Sequence, residues 1–134
     1  MATKLKLYSY NVCPFAQRAW IGLLRAQVPF EYVELNPYTN RENQEWLKIN
    51  PKCLVPAITV NDQTPGIPES RICVEFINEL SNGALFSSDA AQNAFMRIAG
   101  EEVDNKFIPV WYGFLTGKKE SVDMTNMWIG RVQI

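Results

Sequence analysis

Histidine is absent from this sequence, which excludes every mechanism that needs an imidazole. Ser-His-Asp and Cys-His catalytic pairs are excluded, because each uses the imidazole as a proton acceptor. Cysteine is scarce: Cys13, Cys53 and Cys73 are too widely spaced for a secreted disulfide framework or a thiolate zinc site. We therefore predict free thiols in a reducing compartment, the cytoplasm, and no metal. Any chemistry must use a thiol, a carboxylate, a hydroxyl, lysine or arginine.

Neither sign of charge dominates, since 13 basic and 14 acidic residues leave a formal net charge of -1. Without a basic patch, no nucleic-acid partner and no anionic membrane partner are predicted. Apolar runs fall short of a membrane span, and the N-terminus lacks the apolar core of a secretory signal. A composition of 47% hydrophobic and 20% charged residues is typical of a globular protein.

Hydrophobic periodicity predicts alternating strands and helices in the first part of the chain. Alternation predicts strands at 4–10, 30–35 and 54–60 and a very short one near Ile67, and helical spacing predicts helices at 15–27, 41–49 and 70–80. The first strand–helix–strand unit should be parallel and right-handed, and the later hairpin makes the sheet mixed. This order predicts an α/β, thioredoxin-like domain over residues 1–82, with a mixed four-stranded sheet and flanking helices.

Residues 83–134 predict an incomplete all-α domain. A linker at 83–88 is followed by Asp89, which should cap one long helix, and Pro109 should bend that helix. The tail at 118–134 shows no clear period.

Cys13 lies where the first strand passes into the first helix, next to Pro14, which suits a first helical turn. A sulfur there faces unpaired N–H groups and the positive end of the helix dipole, which favour the nucleophilic thiolate. Arg18, one turn on, adds positive charge if its side chain turns back and is otherwise solvated. Because Ala16 replaces the second thiol of a Cys-x-x-Cys pair, any exchange would need an external thiol. The alternative is a buried, inert structural cysteine.

Two further features stand beside this thiol in the predicted sheet. The Val55-Pro56 bond is either an ordinary trans bond or a cis bond, which would direct the Val55 main chain outward to pair with a peptide. Glu69-Ser70 begins the next helix, with Ser70 as its N-cap. This pair is either a plain helix cap or a clamp for the carboxylate and ammonium groups of an α-amino acid.

These residues resemble the N-terminal half of a cytosolic glutathione transferase with an active-site cysteine, of the omega, lambda and dehydroascorbate-reductase types. The matching segments are Cys13-Pro14-Phe15-Ala16-Gln17-Arg18 for Cys-Pro-Phe-x-Gln-Arg, Asn50-Pro51-Lys52-Cys53-Leu54-Val55-Pro56 for Asn-Pro-x-Gly-x-Val-Pro, and Pro68-Glu69-Ser70 for the Glu-Ser pair. The resemblance covers residues 4–81.

The resemblance implies glutathione as co-substrate, held as a mixed disulfide by Cys13. It also implies that Val55 and Pro56 form the loop that pairs with the cysteinyl main chain, and that Phe15 lines the thiol pocket. Glu69 and Ser70 would hold the γ-glutamyl head. The second substrate would be a small electrophile, dehydroascorbate or a mixed disulfide.

The sequence departs from the family pattern at two positions. Cys53 replaces a glycine, so a left-handed backbone there would be strained. It could also form a regulatory disulfide with Cys13. Asn43 stands where the family often has a lysine for the glycyl carboxylate, and Arg41, Lys48 or Lys52 would have to substitute or are simply solvated. Cys73, on an apolar helix face, is predicted to be core.

The predicted second domain is shorter than the family's all-helical domain of at least five helices. Its apolar side chains should therefore form an exposed stripe, which a homodimer could cover. That stripe comprises Phe107, Val110, Trp111, Phe114 and Leu115. The predicted function is glutathione-dependent thiol transfer or reduction. The alternatives are a binding module without turnover and a chloride-intracellular-channel-like relative, which the lack of an insertable apolar run near Cys13 disfavours.

Overall fold

The computed structural model describes residues 3–117 and divides the chain into two compact units, the first ending at Phe86 and the second beginning at Ser87. The first unit contains four strands and three helices: β1 (Leu5–Ser9), α1 (Pro14–Arg25), β2 (Glu31–Glu34), α2 (Gln44–Ile49), β3 (Ala57–Val60), β4 (Ile67–Pro68) and α3 (Ser70–Leu80). The second contains α4 (Ala90–Glu102), a π-helical segment (Val103–Phe107) and α5 (Ile108–Leu115). The predicted tail at 118–134 lies outside the described residues.

The four strands form one mixed sheet in the order β2-β1-β3-β4. β1 runs parallel to β2, placing Leu7 opposite Tyr32, and antiparallel to β3, placing Leu7 also opposite Ile58. β3 and β4 form the predicted antiparallel hairpin. This arrangement confirms the thioredoxin-like sheet predicted from the order of the elements.

The alternation of β1 divides the first unit into two packed faces. Leu5 and Leu7 are buried in the main core, which includes Leu23 of α1 and Ile77 of α3. Because strand side chains alternate, Tyr8 points to the opposite face. There its ring lies 5.4 Å from that of Trp46, so α2 covers the sheet face that α1 and α3 leave open.

Most element boundaries lie within two residues of the predicted ones, but two elements start three residues later than predicted. The second helix starts at Gln44 rather than at position 41, because the Asn43 side chain caps it by accepting hydrogen bonds from the N–H groups of Glu45 and Trp46 at 3.0 and 3.2 Å. The third strand starts at Ala57 rather than at position 54. Pro56 has no N–H to donate to a ladder, which accounts for the later start.

The second unit is helical from Ala90 to Leu115. As predicted, the Asp89 carboxylate caps its start and accepts a hydrogen bond from the Ala91 N–H at 2.8 Å. The helix continues past Pro109, and a π-helical segment precedes this residue. No helix within residues 3–117 is both long and apolar enough to cross a bilayer.

The predicted exposed stripe on this helix is wrong in part. Phe114 and Leu115 are exposed, but Val110 is buried and Trp111 is half-buried. The larger exposed side chains lie earlier, at Phe95 and along the rest of α4. The helical periodicity of the sequence identified apolar positions but not which of them the fold covers.

Candidate active site

Cys13 occupies the N-cap position of α1, where the chain leaves β1 and turns into the helix. Its N–H donates to the Tyr10 carbonyl at 2.9 Å, which closes the turn, and Pro14 follows at the start of the helix. Proline fits there because its missing N–H would have no partner inside the helix. The local sequence therefore places the sulfur at the helix start, as predicted.

A network of side chains holds the turn that presents Cys13. The Asn11 N–H donates to a carboxylate oxygen of Glu34 at 3.1 Å, and Gln17 Nε2 donates to the Asn11 carbonyl at 2.8 Å. The Tyr32 hydroxyl donates to the other oxygen of Glu34. Burial and this hydrogen bond raise the pKa of Tyr32, so the hydroxyl stays protonated and keeps donating. The end of β2 thus anchors the turn.

The structure brings three of the predicted site residues into one hydrophobic cluster. Cys13 and Val55 are buried members, and Phe15 packs against them. The cluster also contains Ala16, Trp46 and Ala57. Cys13 is 9% exposed, so its thiol lies just below the surface between α1 and the loop before β3.

The loop before β3 presents its main chain for pairing. The Val55-Pro56 bond is cis. Among residues 3–117, neither the N–H nor the C=O of Val55 has a hydrogen-bond partner. The buried side chain of Asn50 organises this loop: its Nδ2 donates to the Leu54 carbonyl at 2.6 Å, and its Oδ1 accepts from the Lys52 N–H at 3.1 Å.

The Glu69-Ser70 pair lies at the start of α3, but the predicted role of Ser70 as N-cap is wrong. Glu69 is the N-cap residue, with φ of 70°, and no side chain caps the helix. Ser70 is the first helical residue, and its buried hydroxyl accepts a hydrogen bond from Arg18 Nη1 at 2.9 Å. The Glu69 carboxylate accepts instead from Lys52 Nζ at 2.7 Å.

Arg18 connects the two halves of this site. Its guanidinium carbon lies 5.9 Å from the ring centroid of Phe15, within cation–π range, while Nη1 reaches Ser70. The sequence indicated Arg18 through its spacing from Cys13 and as the last residue of the Cys-Pro-Phe-x-Gln-Arg motif, but neither gave it a partner. The contact with Ser70 spans 52 positions and left no local signal in the sequence.

Residues 12–80 match the family model described as the glutathione S-transferase N-terminal domain, and these residues include the thiol, the proline loop and the Glu-Ser pair. The chain belongs to the glutathione S-transferase family. The predicted family is therefore confirmed.

Similar proteins include glutathione transferases of the omega class, one of the classes that the motifs resemble. Glutathione S-transferase L1 of Arabidopsis thaliana is 30% identical over 115 residues, covering 84% of this chain and 47% of that protein. Glutathione S-transferase omega-1 of Sus scrofa is 29% identical over 119 residues, covering 87% and 47%. The crystal structure of glutathione transferase Omega 2C from Trametes versicolor has a TM-score of 0.77 at 29% identity, covering 96% of this chain and 62% of that one. The chain spans about half the length of the curated relatives it matches.

The departures from the transferase pattern have clear structural positions. Cys53 has φ of 54°, so it adopts the left-handed conformation that a glycine would adopt without strain. Its thiol donates to the Arg41 carbonyl at 3.2 Å, and it packs against the cluster that contains Cys13. Asn43 serves as the cap of α2. Lys48 forms an ion pair with Glu45 at 2.7 Å.

Cys73 is core, as predicted, with no exposed surface. Its thiol donates to the Ile67 carbonyl at 3.4 Å. Burial raises the pKa of the Cys73 thiol to about 12, so it stays protonated and unreactive at neutral pH. All three cysteines are free thiols. Cys73 cannot serve as a nucleophile, because it is buried and protonated.

A cavity of about 340 Å³ lies beside α2, and its lining includes Lys48 but not Cys13, Val55 or the Glu69-Ser70 pair. Tyr8, Trp46 and Thr59 line it, together with residues of α2 and of the β3–β4 turn. Among residues 3–117, the charged groups that line it are Glu45, Lys48 and Asp62, and no cysteine lines it. We therefore place the candidate active site at Cys13 rather than in this cavity.

Proposed function

We propose that this glutathione S-transferase relative is a glutathione-dependent thiol transferase and reductase that works through a mixed disulfide at Cys13. The observation that supports the proposal is the packing of Cys13, at the start of α1, in one cluster with Val55 and Phe15. The nucleophile Cys13, the Val55 main chain (unpaired within residues 3–117) and the apolar ring of Phe15 then lie together, as the binding of a small thiol peptide requires.

The proposed reaction has two exchange steps. The Cys13 thiolate attacks the glutathione sulfur of a mixed disulfide, forms Cys13–S–S–glutathione and releases the other thiol, which takes up a proton. The thiolate of a second glutathione then attacks the glutathione sulfur of that adduct, yielding glutathione disulfide and restoring the Cys13 thiolate. In the net reaction one glutathione thiol is consumed, the substrate's other thiol is released in reduced form, and the glutathione disulfide contains the glutathionyl group of the substrate. Dehydroascorbate would be the alternative acceptor of the two electrons.

The remaining site residues would bind glutathione. The Val55 N–H and C=O, free of partners within residues 3–117, would pair with the cysteinyl main chain beside Pro56. The Ser70 hydroxyl would take the γ-glutamyl carboxylate, and Glu69 would take the ammonium group in exchange for Lys52. Released in this way, Lys52 could reach the glycyl carboxylate. The three free thiols suit a reducing compartment, and we propose the cytoplasm.

The test is covalent capture followed by turnover. After incubation with glutathione disulfide, intact mass and peptide mapping should show one glutathionyl group on Cys13. Cys13→Ser should abolish that adduct and the reduction of a small mixed disulfide of glutathione, while Cys53→Ser should retain both. An adduct on Cys53 alone would contradict the proposal.

A binding module without turnover is the second candidate, because the Cys13 thiol is only 9% exposed. Glutathione binding with no reductase activity in the wild-type chain would favour it. The homodimer remains a prediction, which sedimentation velocity would check.

A further inference from the structure

The hydrogen bond between Arg18 and Ser70 determines the direction in which the serine hydroxyl can donate. A serine hydroxyl has one proton and two lone pairs, whereas a guanidinium group can only donate. Since Arg18 Nη1 donates to Ser70 Oγ at 2.9 Å, the hydroxyl is the acceptor in this pair. Its own proton is left for another acceptor, and none is present among residues 3–117. Ser70 is 7% exposed, so this donor has little access to water.

The contacts of the guanidinium group include one on each helix. It lies over the ring of Phe15, two residues after Cys13 in α1, and it donates to Ser70, the first residue of α3. A hydrogen bond from a charged donor is stronger than a neutral one and polarises the hydroxyl that accepts it. The Ser70 proton is thereby made a better donor to an anion.

We propose that Arg18 is a positioning residue that turns the Ser70 hydroxyl into a dedicated donor for the α-carboxylate of the γ-glutamyl group. This inference rests on the proposed function. Arg18 acts through Ser70, so its contribution should depend on the carboxylate of the ligand and on the presence of the Ser70 hydroxyl. The ammonium group would pair separately with the Glu69 carboxylate, which forms an ion pair with Lys52 in this structure.

Three peptides separate these contributions: glutathione, γ-aminobutyryl-cysteinylglycine, which lacks the α-carboxylate, and glutaryl-cysteinylglycine, which lacks the ammonium group. Titration calorimetry with the full chain would measure each dissociation constant. Arg18→Met, which removes the donor but keeps an apolar side chain near Phe15, should weaken binding of glutathione and of the glutaryl peptide about tenfold, the range for a charge-assisted hydrogen bond. Binding of the γ-aminobutyryl peptide should change less than twofold.

A double-mutant cycle tests whether Arg18 acts through Ser70. Ser70→Ala should weaken glutathione binding at least as much as Arg18→Met, and the double variant should bind no more weakly than Ser70→Ala alone. Arg18→Lys, which keeps a charged donor, should retain part of the discrimination between glutathione and the γ-aminobutyryl peptide. It also provides the test if circular dichroism shows that Arg18→Met is unfolded.

The outcomes distinguish this inference from the function on which it rests. Equal weakening of all three peptides by the folded Arg18 variants, or additive losses in the cycle, would show a structural role and overturn the inference alone. If the wild-type chain binds none of the three peptides, the proposed function fails and the role of Arg18 falls with it.

Discussion

Cys53 shows how one residue can occupy a backbone conformation that its side chain disfavours. Its φ of 54° lies in the left-handed region, which costs a residue with a Cβ roughly 1–2 kcal/mol. The turn keeps this conformation because the Cys53 N–H donates to the Asn50 carbonyl at 2.9 Å. The departure from the family's glycine was visible in the sequence, and the structure shows that Cys53 adopts a left-handed conformation in spite of its Cβ.

We predict that Cys53→Gly stabilises the first unit relative to Cys53→Ala by about 1 kcal/mol. Both variants lose the thiol, so the comparison isolates the backbone, where relief of strain exceeds the greater chain entropy of glycine. Urea denaturation followed by tryptophan fluorescence would measure the free energy of unfolding. Equal stability of the two variants would show that the turn is unstrained.

At the residue scale, chemistry confined to neighbouring positions could be predicted from the sequence. Cys13 and Pro14 at a helix start, and the proline loop at Val55, follow from local rules. The hydrogen bond from Arg18 to Ser70 could not, because it depends on how α1 and α3 pack. Ser70 itself was misplaced by one position, since a serine fits both the N-cap and the first helical residue.

At the scale of elements, the loop that carries Val55 depends on one buried amide. Asn50, 2% exposed, follows α2 directly and donates to the Leu54 carbonyl while accepting from the Lys52 N–H. The Asn50 side chain thus provides hydrogen-bond partners for two backbone groups in a loop that pairs with no strand. The residue that ends α2 therefore also holds the conformation of the loop that follows it.

We predict that Asn50→Ala lowers the free energy of unfolding by about 1–3 kcal/mol, because the Leu54 carbonyl and the Lys52 N–H both lose their hydrogen bond to a buried amide. It should also weaken glutathione binding, since the Val55 main chain is no longer held in place. Thermal or urea denaturation and calorimetric titration would measure the two effects.

Asn50→Asp is the matched control for this loop. It keeps the oxygen that accepts from the Lys52 N–H but places a second oxygen against the Leu54 carbonyl, where repulsion replaces a 2.6 Å hydrogen bond. This variant should be no more stable than Asn50→Ala. Wild-type stability in either variant would mean that water replaces the amide without loss.

Element order was predictable because hydrophobic period and turn residues act over short distances, whereas element ends depend on particular hydrogen bonds. Asn43 determines the start of α2 by capping it. The long helix passes Pro109 after a π-helical segment, Val103–Phe107. The backbone stays helical through this proline, for which the sequence predicted only a bend.

At the scale of the whole molecule, the buried thiol of Cys73 links stability to alkaline pH. Its pKa is raised from 9.0 to about 12 in the folded chain. The folded state therefore keeps a proton that the unfolded state loses above pH 9. The stabilisation is fully present below pH 9 and is lost progressively as the pH rises toward about 12.

We predict that the free energy of unfolding of the wild type falls about 1.4 kcal/mol more than that of Cys73→Ala between pH 8 and pH 10. Cys73→Ala costs packing energy at both pH values, so only the difference in slope reports the thiol. Urea denaturation at each pH would measure it. Parallel pH profiles for the two proteins would contradict this assignment.

The edges of the four-stranded sheet bear on how copies of the chain meet. One edge is β2, which begins and ends on the exposed residues Glu31 and Glu34; the other is β4, two residues long, where Pro68 has no N–H to offer. A strand of a neighbouring chain would meet exposed carboxylates at the β2 edge and a missing hydrogen-bond donor at the β4 edge. Both edges therefore disfavour strand-by-strand growth into fibrils, although bulky apolar side chains such as Phe95 face solvent.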